Sequence, residues 1–146
     1  MDPRDLAAQH LPAAIPALVV VPDRMQLFMF SAATWNRHRI HYDKDEALAE
    51  GLPDVVVQRA LLGDFLARML TDWLGDAGDI RRLSWRVVGS ALPDVALSCT
   101  GNVVALEQAQ GVRLARCDLR LDTEAGDAIA TGDAIVRLYP EEQRRA

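Results

Sequence analysis

The chain has 146 residues, 50% of them hydrophobic and 25% charged, which suits one globular domain of ordinary size with a proper core. Its formal net charge of −5 and pI of about 5.1 exclude a general nucleic-acid surface or an anionic-membrane surface, since both need a basic footprint. No apolar run reaches the ~18 residues needed to span a bilayer.

Residues 1–23 are punctuated by Pro3, Pro12, Pro16 and Pro22 and read as an irregular arm with one short strand, Ala17 to Val21. The opening Asp2, Arg4 and Asp5, followed by an apolar stretch that Pro12 and Pro16 interrupt, lacks the pattern of a signal peptide. Residues 24–34 place Leu27, Phe28, Phe30 and Ala33 at helical spacing, which predicts a short helix with Phe28 and Phe30 in the core. A polar knot follows, Trp35-Asn36-Arg37-His38-Arg39-Ile40-His41-Tyr42-Asp43, holding two of the three histidines. A dense polar segment between two ordered elements is where rigid neighbours can hold reactive groups in place.

Asp43-Lys44-Asp45-Glu46 reads as a capping box that opens a helix running to about Glu50 and stopping at Gly51. After Leu52-Pro53-Asp54, the segment Val55 to Leu74 carries Leu61, Leu62, Phe65, Leu66, Met69, Leu70 and Trp73 at spacings of three and four. It predicts a long helix with one broad apolar face. From Ile80 the period changes to two. Four strands are expected, Ile80–Ser90, Val95–Leu106, Val112–Leu121 and Ala128–Leu138, with turns at Pro93-Asp94, Gln110-Gly111 and Ala125-Gly126-Asp127. Long strands after one buried helix imply an α+β fold, an antiparallel sheet curled around that helix. The domain is taken as residues 1–146, with residues 140–146 a charged, frayed tail.

Cys99 and Cys117 lie in alternating apolar runs, so buried free thiols in a reducing cytoplasm are expected. Without a C-x-x-C, three histidines make no zinc signature, and no metal is expected.

Asn36-Arg37-His38-Arg39-Ile40-His41-Tyr42-Asp43, followed by Ala47, Gly51 and the helix opening Val57-Gln58-Arg59-Ala60-Leu61, resembles the MaoC-like enoyl-CoA hydratase and dehydratase branch of the hot-dog fold. The typical motif there is Asp-x-Asn-Pro-x-His-x-Asp, with His-Gly opening the central helix. Ala130 to Leu138 also looks like the last strand of that family, so the resemblance runs from about Arg24 to Leu138. Asn36 stands where the family has a catalytic Asp, and Gln58-Arg59 replaces His-Gly. Two sub-branches are similar in detail. One group of enoyl-thioester hydratases carries Thr-x-Asn-x-His-x-Ile-His-Tyr-Asp, as in Thr34 to Asp43. The small subunit of heteromeric steroid-side-chain enoyl-CoA hydratases has a Thr-Asp-Trp-x-Gly, as in Thr71 to Gly75.

The resemblance implies addition of water across the double bond of a trans-2-enoyl-CoA, or loss of water from the 3-hydroxyacyl-CoA, without metal or redox cofactor. Such chemistry needs a base for water, a proton for the α-carbon and donors for the carbonyl oxygen. His41 is the expected base and Asn36 the water-positioning residue. Tyr42, Arg39 and the helix opening Gln58, Arg59, Ala60 and Leu61 are the expected substrate contacts, Arg39 by pairing with a carboxylate or a CoA phosphate. Two alternatives stay open: a non-catalytic subunit that supports a hot-dog partner, and a thioesterase using Asp64 on the central helix. The expected assembly is a homodimer or a heteromer with another hot-dog subunit, with the acyl-CoA as ligand and neither nucleic acid nor membrane as partner.

Overall fold

A computed structural model describes residues 1–109 and 111–140. In chain order the elements are β1 (Ala13–Val20), α1 (Arg24–Thr34), α2 (Lys44–Ala49), α3 (Arg59–Leu74), β2 (Gly78–Val87), β3 (Leu97–Ala109), β4 (Val112–Thr123) and β5 (Ala128–Leu138). The expected tail from Glu141 onward and the turn residue Gln110 lie outside the described residues.

The sheet has five antiparallel strands in the order β1-β3-β4-β5-β2. Its inner face is apolar by strict alternation: Ala115, Cys117, Leu119 and Leu121 on β4 are buried, as are Ala130, Ala134 and Val136 on β5. This face wraps α3, which buries Leu62, Phe65, Leu66, Met69, Leu70 and Trp73 and turns Asp64, Arg68 and Asp72 outward. The outer face is polar. Asn102, Asp118, Asp133 and Ser84 form one row across four strands, and Thr100, Arg120, Thr131 and Arg86 form the next.

Edge strand β2 is held to the helix by Trp85, whose ring lies where a Cβ on Gly63 would be, 2.3 Å away. The Trp85 indole N–H donates to the Arg59 carbonyl at 3.0 Å, and the Arg59 guanidinium sits 6.0 Å above the ring. Cys99 and Cys117 are free, fully buried thiols, and burial pushes each up to about 12.

Three expectations need correction. The strand expected in the N-terminal arm at Ala17 to Val21 is longer and starts earlier, Ala13–Val20, paired with β3, with Ala13 and Ile15 buried. Pro16 misled, because it sits at a register shift between Ile15 and Leu18 on an edge strand, where a missing N–H breaks no ladder. The long helix begins at Arg59 rather than Val55, since Val55 to Val57 are β-branched and run extended. The Val56 N–H bonds the Ile40 carbonyl and the Val57 N–H bonds the Ala91 carbonyl. Phe28 does not reach the core; it is 53% exposed on the outer side of α1.

Candidate active site

The Trp35–Asp43 segment is knitted by its own backbone. Helix α1 ends with the Trp35 N–H on the Ala32 carbonyl and the Asn36 N–H on the Ser31 carbonyl, a paired closure that puts Trp35 in the left-handed region at φ 55°. Glycine usually fills that position, so Trp35 holds a backbone cost of about 1–2 kcal/mol at the rim of the site. The Asn36 Oδ1 accepts from the His38 N–H at 3.1 Å, folding the chain into a turn on the asparagine's own side chain. A single tight turn, Arg39–His41, follows and delivers His41 inward.

His41 is 8% exposed. Its Nδ1 lies 2.7 Å from the Val56 carbonyl, which can only accept, so Nδ1 carries the proton and Nε2 keeps its lone pair. Burial pushes the imidazole below its ordinary value; the Val56 carbonyl opposes this, and the nearby His38 lowers it further. The His38 ring stands edge-on at 5.9 Å and its Nε2 faces Glu50 at 3.2 Å. The result is a neutral imidazole with a fixed tautomer.

Asp43 caps α2 through Oδ1, which accepts from the N–H groups of Asp45 and Glu46. The reciprocal half of the capping box is missing, because Glu46 turns to Arg39. Arg39 bridges Asp43 and Glu46 at 2.5 Å each. Its guanidinium holds the Asp43 carboxyl below the usual carboxylate range. Arg39, an expected substrate contact, is therefore committed to fixing the loop against α2.

Gln58 is buried, 1% exposed, and faces α1 rather than solvent. Its Nε2 donates to the Leu27 carbonyl at 2.6 Å and to Ser31 Oγ at 2.9 Å, while its Oε1 meets no donor among the described residues. The side chain gives α3 no cap, and the helix's first internal bond is Leu62 N–H to the Gln58 carbonyl. The N–H groups of the first turn, Arg59, Ala60 and Leu61, are thus left without intrahelical acceptors at the positive end of the dipole. Arg59 itself lies on Trp85.

Tyr42 donates its hydroxyl to the Arg37 carbonyl at 3.1 Å and meets Phe28 edge-on at 6.3 Å. The two rings, with Ser31, Trp35, Asn36 and Arg37, line an apolar groove of about 240 Å³. Sequence reasoning missed this role for Phe28 and Trp35; helical spacing alone places Phe28 with the core residues. Asp64 is exposed on α3.

A sequence profile described as hydroxyacyl-thioester dehydratase type 2 matches residues 5–93, which covers β1, the whole Trp35–Asp43 segment and α3. The chain belongs to this dehydratase family. Among curated relatives it is similar to a mesaconyl-C(4)-CoA hydratase of Chloroflexus aurantiacus, 49% identical over 51 residues, 34% of this chain and 18% of that protein. It is also similar to the 3-oxo-4,17-pregnadiene-20-carboxyl-CoA hydratase beta subunit of Mycobacterium tuberculosis, 28% identical over 75 residues, 51% of this chain. The matches span 18% and 58% of the lengths of those two proteins. The fold is that of an (R)-hydratase from A. caviae involved in PHA biosynthesis, at a TM-score of 0.82 and 19% identity over 93% of this chain and 99% of that one. The ChsH1-ChsH2 complex of M. tuberculosis matches at a TM-score of 0.78 and 22% identity, over 88% of this chain and 97% of that one. This member of the family is thus a MaoC-like hot dog, α+β, with one sheet around one central helix. No described helix is long and apolar enough to cross a membrane.

Proposed function

We propose that this chain hydrates a trans-2-enoyl-CoA and, in reverse, dehydrates the 3-hydroxyacyl-CoA. The observation that carries the reading is His41: buried, neutral, its Nδ1–H spent on the Val56 carbonyl and its Nε2 lone pair free to take a proton. In the hydration direction Nε2 takes a proton from water as the hydroxide oxygen bonds to C3. The double-bond electrons move through C2 onto the thioester oxygen. The same imidazolium then returns the proton to C2 and the carbonyl reforms, so one water is added and His41 ends neutral.

Asn36 supports the water. Its Oδ1 spends one lone pair on the His38 N–H and keeps the other for a water O–H, and its NH2 can hold the water oxygen. The unpaired N–H groups of Arg59, Ala60 and Leu61 are the donors suited to the enolate oxygen, a role that needs no side chain and so tolerates Gln58-Arg59 in place of His-Gly. The buried, unoxidised thiols fit work in the cytoplasm.

Purified protein mixed with crotonyl-CoA and with a bulky enoyl-CoA tests this by loss of absorbance of the conjugated thioester. Turnover of either supports the reading; no turnover alone or with a hot-dog partner sinks it.

A further inference from the structure

We propose that the groove between α1 and the Trp35–Tyr42 segment is the acyl subsite, and that Arg37 at its rim selects acyl groups that carry a carboxylate. This rests on the thioester reading of the site and goes further, to the class of acyl group.

The first argument is shape. Phe28, Trp35 and Tyr42 are 53%, 78% and 40% exposed, yet they converge on one concavity instead of scattering. Three exposed aromatic rings around a hollow mark a binding surface. At about 240 Å³ the groove is smaller than the ~300–1,000 Å³ of pockets that enclose whole ligands, so it takes a part of one. A compact acyl group fits that part; the full coenzyme does not.

The second argument is position. Asn36 lines the groove, so an acyl group seated there lies beside the water-holding amide. Ser31 forms part of the wall and accepts from Gln58, which ties the groove to the residue preceding the first turn of α3. One hollow therefore touches both the asparagine and the support of the helix start.

The third argument is charge. In this acidic chain three cations around the site face carboxylates, His38 with Glu50, Arg39 with Asp43 and Glu46, and Lys44 with Asp54, while Arg59 lies on Trp85. Arg37 is exposed and makes no ion pair among the described residues. Its backbone carbonyl is fixed by the Tyr42 hydroxyl, so the residue is anchored to the aromatic wall while its guanidinium keeps all five donors. A planar fork at the edge of an apolar hollow suits a bidentate carboxylate.

Calorimetry with saturated thioesters, which cannot be hydrated, tests binding apart from turnover. Wild-type protein should bind glutaryl-CoA about tenfold more tightly than valeryl-CoA. Arg37→Gln should erase the difference, Arg37→Lys should keep only part of it, and Phe28→Ala should weaken both ligands. Equal affinity of the two ligands in the wild type overturns the proposal. So does an Arg37→Gln loss that is the same for glutaryl-CoA, valeryl-CoA and free CoA, which would place the guanidinium on a coenzyme phosphate. The two readings fail separately. Hydration of crotonyl-CoA without a glutaryl preference removes the groove assignment alone, and a glutaryl preference without any hydration removes the reaction alone.

Discussion

At the scale of single residues, His41 sets the pH behaviour. Its imidazole titrates below the ordinary 6.5, so it stays neutral through the physiological range. Hydration should hold steady near pH 7 and fall only as pH drops through that lowered value, when the base becomes charged; the acid limb of a kcat profile locates it. Stability follows the same sign. Below about 6.5 the unfolded chain takes up the proton before the folded one does, so acid draws the equilibrium toward unfolding. His41→Ala should lower turnover by ~10²-fold or more with the fold intact, and a folded variant of unchanged kcat would remove the base from this position. Asn36→Asp is expected to keep or raise activity, because a carboxylate still accepts from the His38 N–H; if instead an inactive wild type gained activity, the supporting-subunit alternative would be the better account. That both residues share one compact segment was legible in the sequence, because their spacing is local and the loop folds on itself. The places of Gln58 and Arg39 were not: that one is buried against α1 and the other paired with two acids depends on how helices dock, which spacing does not encode.

At the scale of elements, α1 is tied to the core by Leu27 and by the Gln58 carboxamide. Gln58→Ala leaves the Leu27 carbonyl and Ser31 without that donor, though it also removes the orphaned Oε1. A net loss of about 1–2 kcal/mol in urea denaturation is expected, together with weaker thioester binding as α1 loosens over the groove. The Gly63–Trp85 contact joins β2 to α3. Gly63→Ala would drive a methyl into the indole, so about 1–3 kcal/mol should be lost and the Trp85 near-UV signal altered. Elements with strong periodicity, α1, the core of α3 and β5, were legible nearly to the residue. The start of α3 and the reach of β1 were not. Three valines favour an extended chain that only Ile40 and Ala91 make visible, and a proline stops a strand only where its missing N–H would have had a partner.

At the scale of the whole molecule, the sheet ends in two open edges, β1 and β2. Its outer face is charged in rows, with Asp118 directly opposite Asp133, and offers no apolar layer for another sheet to stack upon. Assembly is therefore expected through an edge and through the apolar side of α1, where Met25 and Met29 are 66% and 57% exposed. The preferred outcome is a homodimer, with a hot-dog heteromer as the alternative. Light scattering separates the cases: a stable, active monomer near 16 kDa refutes both, and an inactive chain rescued by a partner selects the heteromer.

The two sealed thiols give the sheet a clock. Only a thiolate alkylates, and neither cysteine forms one while buried, so each reacts at the rate at which its strand is laid bare. Cys99 sits on β3, covered on one side by the edge strand β1; Cys117 sits on β4, between two interior neighbours. If the molecule frays from its N-terminal edge before it opens as a whole, Cys99 is tagged first and Cys117 follows only with global unfolding. Equal rates would mean that β1 and the centre of the sheet let go together.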